Sequence, residues 1–214
     1  MADQVDFRVT TPRVTDYTNG VRHVRFVAMQ HIGSAEYYGN AARIVRDAQR
    51  AGGIHFYEWI DMYQLSDTDQ RKVRKLTQFL PMPDVYGVVA EIVGRQLGLQ
   101  LQAQQTGDLV GLLNGTDVNA DISPAEFLRR VEAELGPITL DEEDITIPLT
   151  EPISRGLPEE QWIHILIDSR NADLARMVHG APFPKIVITY GAGHEAGWLT
   201  ELQALDPRWG PRTR

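Results

Sequence analysis

Residues 23–58 read HVRFVAMQHIGSAEYYGNAARIVRDAQRAGGIHFYE, and this stretch decides the fold class. Val24–Met29 is a short run of β-forming apolar residues, which predicts a buried strand. Ser34 is a suitable helix N-cap, apolar residues then recur at helical spacing, and Gly52 ends the helix. Ile54–Tyr57 predicts a second strand. The order strand, helix, strand predicts parallel pairing, and therefore an α/β fold with a mixed or mostly parallel central sheet flanked by helices.

A second segment near the C-terminus has the same order of features. Lys185–Tyr190, KIVITY, predicts a strand covered on both faces, and Gly191–His194 turns the chain into a final helix. His31 follows the first strand, Glu58 follows the second, and His194 follows this one. Ligands bind at the carboxyl ends of the strands in open parallel sheets. If the three strands are neighbours, these side chains form one candidate site.

Two imidazoles and a carboxylate suit two kinds of chemistry. They form a ligand set for a divalent ion such as Zn²⁺ or Mn²⁺, and they also suit general acid and base catalysis. Glu36 lies in the first turn of the predicted helix, where it either stabilises the helix N-terminus or reaches the same edge. The chain has no nucleophile-elbow serine, P-loop or H-E-x-x-H helix, so activation of water at the His/Glu cluster is the simplest remaining reaction.

The glycines after the last predicted strand allow a dinucleotide-binding interpretation. Gly191, Gly193 and Gly197 open a helix after a strand, as in the Rossmann fingerprint. That fingerprint expects a further strand with an acidic residue about 20 positions later, and the sequence ends first. A turn that lets the backbone pass close to a ligand explains these glycines better.

Composition predicts one soluble domain over residues 1–214. The formal net charge of −8, from 29 acidic and 21 basic residues, disfavours nucleic acid as a partner. No apolar run reaches the roughly 20 residues that span a bilayer, and the N-terminus does not read as a secretory signal. The absence of cysteine suits a reducing compartment, so we expect a cytoplasmic protein without a membrane partner.

The middle and the end of the chain predict further elements. An Asp67-x-x-Gln capping box opens one helix, and Ser123-Pro124 opens another. Alternation predicts a strand at Leu99–Gln105, Thr139–Arg155 reads as an exposed excursion, and Pro207–Arg214 reads as a loose tail. The oligomeric state stays open, with three aromatic residues expected to be exposed and available to an interface: Tyr86, Trp162 and Trp209.

These residues resemble the TraB/PrgY/GumN and TIKI group, within the wider erythromycin-esterase-like and ChaN-like fold. The group carries two G-x-x-H motifs. The second corresponds to Gly191–His194, and the first to Ala28–His31, with alanine in place of glycine. Asn119–Ser123 is similar to the group's mid-domain acidic stretch, and Ser169–Asn171 to its Arg-Asn element. The resemblance runs over a core from about residue 22 to residue 205.

The resemblance implies two related halves and places Arg170 at the site as an oxyanion or carboxylate binder. In TIKI proteins it implies a metal-dependent peptidase. The first hypothesis is therefore a metal-dependent hydrolase, peptidase-like or esterase-like, acting on a small peptide or another small molecule. His31, Glu58 and His194 would hold Mn²⁺, Co²⁺ or Zn²⁺, with Glu36 in support. The alternative is a non-catalytic binding or regulatory module of the TraB/GumN type that retains the pocket.

Overall fold

A computed structural model describes residues 6–80, 83–105, 107, 109–113 and 117–212. The strands of this part of the chain are β1 (Arg13–Thr18), β2 (His23–Met29), β3 (Ile32–Gly33), β4 (Ile54–Tyr57), β5 (Gln102–Ala103), β6 (Val118–Asn119), β7 (Lys185–Gly191) and β8 (Gly210–Pro211). The α-helices are α1 (Ala35–Arg50), α2 (Asp67–Thr77), α3 (Pro83–Leu97), α4 (Pro124–Leu135), α5 (Glu142–Thr146), α6 (Glu159–Gly180) and α7 (Glu195–Leu205). None of the helices in these ranges is both long enough and apolar enough to cross a bilayer.

The strands form one six-stranded sheet and one small pair. The order in the large sheet is β6-β4-β7-β2-β1-β8. Strands β6, β4, β7 and β2 run parallel, whereas β1 and β8 join antiparallel at one edge. Strands β3 and β5 pair antiparallel in the second sheet. The predicted α/β fold with a mixed, mostly parallel sheet flanked by helices is confirmed. The two related halves stay a prediction.

Strand β7 lies between β2 and β4, the two strands whose parallel pairing the sequence predicts. Val24 of β2 and Ile54 of β4 both align with Ile186 of β7. The strands are parallel as predicted, but their pairing is indirect because the C-terminal strand inserts between them. The three strands that precede His31, Glu58 and His194 are therefore neighbours, which is the condition for a shared site.

Side chains alternate across the central strands and fill a core on each face of the sheet. Phe26 and Ile188 are fully buried against Trp198 of α7 on one face. Val27 and Val187 point to the other face, where they pack under α1. Coverage of both faces explains why β7 is apolar along almost its whole length. A third apolar cluster joins α2, α4 and α6.

Several local predictions need correction. Ser66, not Asp67, caps α2, because its side chain accepts the backbone N–H of Asp69 at 3.2 Å. The strand predicted at Leu99–Gln105 shortens to Gln102–Ala103. Thr139–Arg155 is not wholly exposed, since it contains α5 and the buried Asp144. The Ser123 cap with Pro124 in the first helical turn is confirmed.

The predicted loose tail is wrong over its described part, which ends at residue 212. Trp209 is 1% exposed, and Gly210–Pro211 pairs with β1. The interface expectation for the three aromatic residues also fails as stated. Trp162 is buried and Tyr86 is half-buried, so none of them is an exposed aromatic side chain. The strand Gly210–Pro211 has only two residues, which is too short for a hydrophobic period to be recognised in the sequence.

Arg22 ties the C-terminus of α6 to the start of β2. Its guanidinium donates to the carbonyl oxygens of Val178 and His179, each at 2.6 Å. It also donates to the carbonyls of Ala181 and Phe183. The last carbonyls of a helix have no partner within the helix, so a cationic donor at this end stabilises it.

We expect Arg22→Met to lower the free energy of unfolding by about 2–3 kcal/mol. The substitution keeps an apolar stem but leaves partly buried carbonyls without their donor. Equilibrium urea denaturation measures the change. Arg50→Met is the matched control, because Arg50 makes only an exposed ion pair with Asp47, and it should cost less than about 0.5 kcal/mol. Equal losses in the two variants would contradict the assigned role of Arg22.

Candidate active site

The candidate site lies at the carboxyl edge of the parallel strands. Glu58 directly follows β4, Asp121 lies two residues after β6, and His194 ends the 3₁₀ turn Ala192–His194 after β7. The backbone N–H of Glu58 still donates to Thr189 at 3.1 Å, so the strand ladder fixes where this side chain begins. The sheet therefore delivers two carboxylates and an imidazole to one place.

Arg170 of α6 joins the two carboxylates. Its Nε and one terminal nitrogen donate to the two oxygens of Asp121 at 2.8 and 2.6 Å, a bidentate pair. The same terminal nitrogen donates to Glu58 Oε1 at 2.5 Å. The side chains of Arg170 and Asp121 are 6% and 0% exposed, so this cluster is almost fully removed from water. Two buried carboxylates thus share one guanidinium.

The second oxygen of Glu58 is held by the backbone at the end of β7. The N–H of Gly191 donates to Glu58 Oε2 at 2.5 Å. An added Cβ at Gly191 would lie 3.3 Å from that oxygen and 3.4 Å from the ring of His194. A side chain at residue 191 would therefore require Glu58 to shift by a few tenths of an ångström. The interpretation that these glycines let the backbone pass close to a ligand, a dinucleotide or not, stays a prediction.

His194 is held as a neutral imidazole. Its Nδ1 lies 2.8 Å from Asn171 Oδ1, and its Nε2 lies 3.4 Å from a terminal nitrogen of Arg170. Because a guanidinium can only donate, Nε2 is the acceptor and Nδ1 carries the proton. Asn171 in turn lies against Gly197, where an added Cβ would overlap its side-chain amide. The helix after β7 therefore needs a glycine at this position.

The charges of the cluster shift several pKa values. Burial raises the pKa of Glu58, but the charge of Arg170, together with those of His31 and His194 when these are protonated, outweighs it and lowers the pKa to about 2. Burial, reinforced by Arg170, lowers the pKa of His194 to about 4. Burial dominates at Asp121 and raises its pKa, although Arg170 opposes the shift. The bidentate pair with Arg170 favours the ionised form of Asp121, and Glu58 is ionised at neutral pH because its pKa is low. With His194 neutral, the side chains of Glu58, Asp121, Arg170 and His194 together carry one net negative charge.

A cavity of about 160 Å³ opens onto this cluster. Glu58, Asp121 and Arg170 form its polar end, together with His31 at the rim. The remaining lining residues are largely apolar or aromatic: Trp59, Ile60, Met62, Tyr63, Val73, Thr77, Tyr86, Gln104, Phe127 and Leu166. The exposed ring of His31 stacks on Tyr86, with centroids 5.0 Å apart and planes 21° apart. Stacking uses the face of the imidazole and leaves its nitrogens at the ring edge.

The structure brings together four of the five residues predicted for the site. His31, Glu58 and Arg170 line the cavity, and His194 lies behind Arg170. Glu36 is exposed in the first turn of α1 and is not among the residues that line the cavity. Its place near the helix N-terminus fits the electrostatic role that the sequence left open.

Three residues of the candidate site were not assigned from the sequence. Asp121 and Asn171 lie inside Asn119–Ser123 and Ser169–Asn171, two segments in which the sequence predicted a role for Arg170 alone. Tyr190 donates to Asp121 at 3.1 Å from inside β7. A polar residue just past a short strand was the available signal for Asp121. The sequence contained no signal for Tyr190, because a tyrosine in an apolar run is indistinguishable from an ordinary core residue.

A divalent metal does not suit the residues that are present. Glu58 already accepts from Arg170 and Gly191, and the Nε2 of His194 faces a guanidinium. A metal ion coordinated by Glu58 and His194 would have to displace these donors. Within the described ranges, no group of three or more His, Asp or Glu side chains is arranged to hold a metal ion. The predicted metal centre therefore finds no support here.

Comparison of the chain with protein-family models, with curated proteins and with solved structures gives no significant match. The resemblance to the TraB/PrgY/GumN and TIKI group therefore stays a prediction. The geometry of the cavity and its charged end are the basis on which a function can be proposed.

We expect His194→Gln to reduce the loss of stability on acidification. The unfolded chain protonates this histidine near pH 6.5, whereas the folded protein does so only near about 4. Acidification through this window therefore favours unfolding, and His194 should account for about 2 kcal/mol of lost stability between pH 7 and pH 5.

Urea denaturation at the two pH values measures this difference. His164→Gln is the control, because His164 is exposed and pairs with Glu134 outside the cavity, and it should keep the wild-type pH dependence. The same pH dependence in wild type and His194→Gln would show that His194 is not held neutral.

Proposed function

We propose that the protein is a hydrolase of a small ester or amide, in which His31 activates water and Arg170 binds the oxyanion. The single observation that carries the proposal is the shared cavity, where an exposed imidazole lies at the rim of a buried carboxylate–guanidinium cluster. Buried charges of this kind cost folding stability, and perturbed carboxyl and imidazole groups in a cleft are typical of active sites.

His31 is suited to be the general base. It lines the cavity with Glu58, and its charge contributes to the lowered pKa of that carboxyl. Glu58 itself is a weak base with a pKa of about 2. Its role is therefore electrostatic.

Arg170 is suited to bind the oxyanion. Its Nε–H and one terminal nitrogen are engaged by Asp121 and Glu58, while the other terminal nitrogen makes only the 3.4 Å contact with His194. That nitrogen carries two hydrogens, and among the described residues the second one has no acceptor, so we assign it to the ligand. A donor already fixed by its neighbours needs no reorganisation during the reaction.

The proposed reaction follows from these positions. His31 takes a proton from water as the water oxygen bonds to the carbonyl carbon, and the carbonyl electrons move onto its oxygen beside Arg170. The tetrahedral intermediate then breaks its bond to the leaving group. The imidazolium returns the proton to that leaving oxygen or nitrogen, which balances the step.

We expect His31→Gln to lower kcat/KM by at least about 100-fold on any ester or amide that the wild type hydrolyses. Glutamine keeps a polar side chain of similar reach but cannot accept the proton at neutral pH. A panel of small esters and amides gives the measurement, and His164→Gln is the matched control outside the cavity. Full activity of His31→Gln would exclude His31 as the base.

We expect dialysis against EDTA to leave any hydrolase activity within about twofold, because the described residues contain no group of three or more His, Asp or Glu side chains that could coordinate a metal ion. The assay compares treated and untreated protein on the same substrate. Activity that disappears and returns with Mn²⁺, Co²⁺ or Zn²⁺ would instead support the metal-dependent form of the hypothesis.

A non-catalytic binding module is the second candidate, and one observation favours it. With pKa values of about 2 and about 4, neither Glu58 nor His194 changes protonation near neutral pH. Charges that stay constant near neutral pH can bind a ligand without taking part in proton transfer. Ligand binding by wild type that turns over no ester or amide would support the module.

A further inference from the structure

At the polar end of the cavity, the carboxylates of Glu58 and Asp121 exceed the single guanidinium of Arg170 by one charge. The ionisable side chains that line the cavity are Glu58, Asp121, Arg170, Tyr63, Tyr86 and His31. The two carboxylates outnumber the single guanidinium, and His194 behind them is neutral. A ligand carboxylate at this end would approach Glu58 and Asp121 as well as Arg170. Recognition of a ligand carboxylate, one of the two roles that the resemblance implies for Arg170, is therefore disfavoured.

Glu58 has acceptor capacity left for a ligand. A carboxylate can accept about four hydrogen bonds, and Glu58 receives one at each oxygen, from Arg170 and from Gly191. Its side chain is 12% exposed and lines the cavity, whereas Asp121 is 0% exposed. A donor on a ligand can therefore reach Glu58, and an ammonium group would also neutralise the cluster.

The walls of the cavity suit a positively charged group attached to an apolar body. Trp59, Tyr63, Tyr86 and Phe127 provide aromatic rings around the cavity. Aromatic faces attract ammonium groups through cation–π interactions, and the aromatic rings also cover apolar surface of the ligand. A further carboxylate lies next to this aromatic wall, since Asp84 accepts a hydrogen bond from the hydroxyl of Tyr63 at 2.8 Å.

The size of the cavity limits the ligand. Its volume is about 160 Å³, and an engineered cavity of about 150 Å³ in another protein admits benzene. One six-membered ring, or an aliphatic group of the same bulk, therefore fills the space beside the charged end. A longer peptide can place only one side chain there.

We infer that this cavity selects a small organic cation, a primary ammonium group linked to a single ring or an equally compact apolar group. The ammonium donates to Glu58 while the apolar part lies among Trp59, Tyr63 and Tyr86. The inference names the substrate class of the proposed hydrolase and rests on that proposal for its catalytic meaning. Binding of the cation itself does not require turnover.

The test compares benzylammonium with benzoate and benzyl alcohol, which share one ring and differ in charge. Isothermal titration calorimetry on the full chain at pH 7 should give a Kd for benzylammonium at least 10-fold below those of the other two. Glu58→Gln should reduce this preference to less than about 3-fold, because it removes one charge and keeps the shape. Glu151→Gln, an exposed site outside the cavity, should leave the preference unchanged.

A second variant keeps the inference testable if Glu58→Gln does not fold. Tyr63 is 55% exposed at the rim, so Tyr63→Leu should fold and should weaken benzylammonium binding at least 3-fold. Equal affinity for the three probes, tighter binding of benzoate, or no binding of benzylammonium at millimolar concentration would each overturn the inference.

Hydrolysis assays on the same preparations separate this inference from the proposed function. They use two small esters matched in size, one with an ammonium group and one with a carboxylate. An ammonium preference in binding without turnover of any ester or amide overturns the hydrolase and keeps the inference. Turnover of both esters at equal kcat/KM supports the hydrolase and overturns the ammonium selectivity.

Discussion

The buried guanidinium of Arg170, shared between Glu58 and Asp121, is the interaction on which the rest of the site depends. Removing three charged groups from water is expensive, and their attraction offsets that cost only when the geometry and hydrogen bonding are good. Both carboxylates receive additional donors, from Gly191 and from Tyr190. Helix α6 and the ends of β4, β6 and β7 must therefore meet within hydrogen-bond distance.

The strand order explains why a cavity forms beside this cluster. Strand β7 lies between β2 and β4, so His31, His194 and Glu58 follow three adjacent strands. The buried cluster closes one end of the space, while helices α2, α3, α4 and α6 contribute to its walls. His31 is the most exposed member of the group. The site thus combines the buried charges of Glu58, Asp121 and Arg170 at one end of the cavity with the exposed imidazole of His31 at its rim. This combination is the basis of the proposed hydrolase.

The sequence predicted the features that depend on local order. Strand ends are marked by apolar runs, and parallel strands share a carboxyl edge, so Glu58 and His194 could be placed from the sequence alone. The pairing of Asp121 with Arg170 could not, because it joins residues 49 positions apart through tertiary packing. The sequence also could not decide whether Glu36 belongs to the site. A carboxylate in the first turn of a helix stabilises the helix N-terminus whether or not it faces a cavity. The burial of Trp209 could not be predicted either, because the segment around it is too short to show a hydrophobic period.

The state of Glu58 tests the central claim most directly. Carbon-13 chemical shifts of the glutamate side-chain carboxyls, followed by NMR from pH 7 downwards, report its protonation in the native protein. If Arg170 holds the cluster as described, Glu58 stays ionised at pH 4, where an ordinary glutamate is largely protonated, because its pKa is about 2. A Glu58 titration midpoint at or above the usual value of about 4.3 would contradict the account.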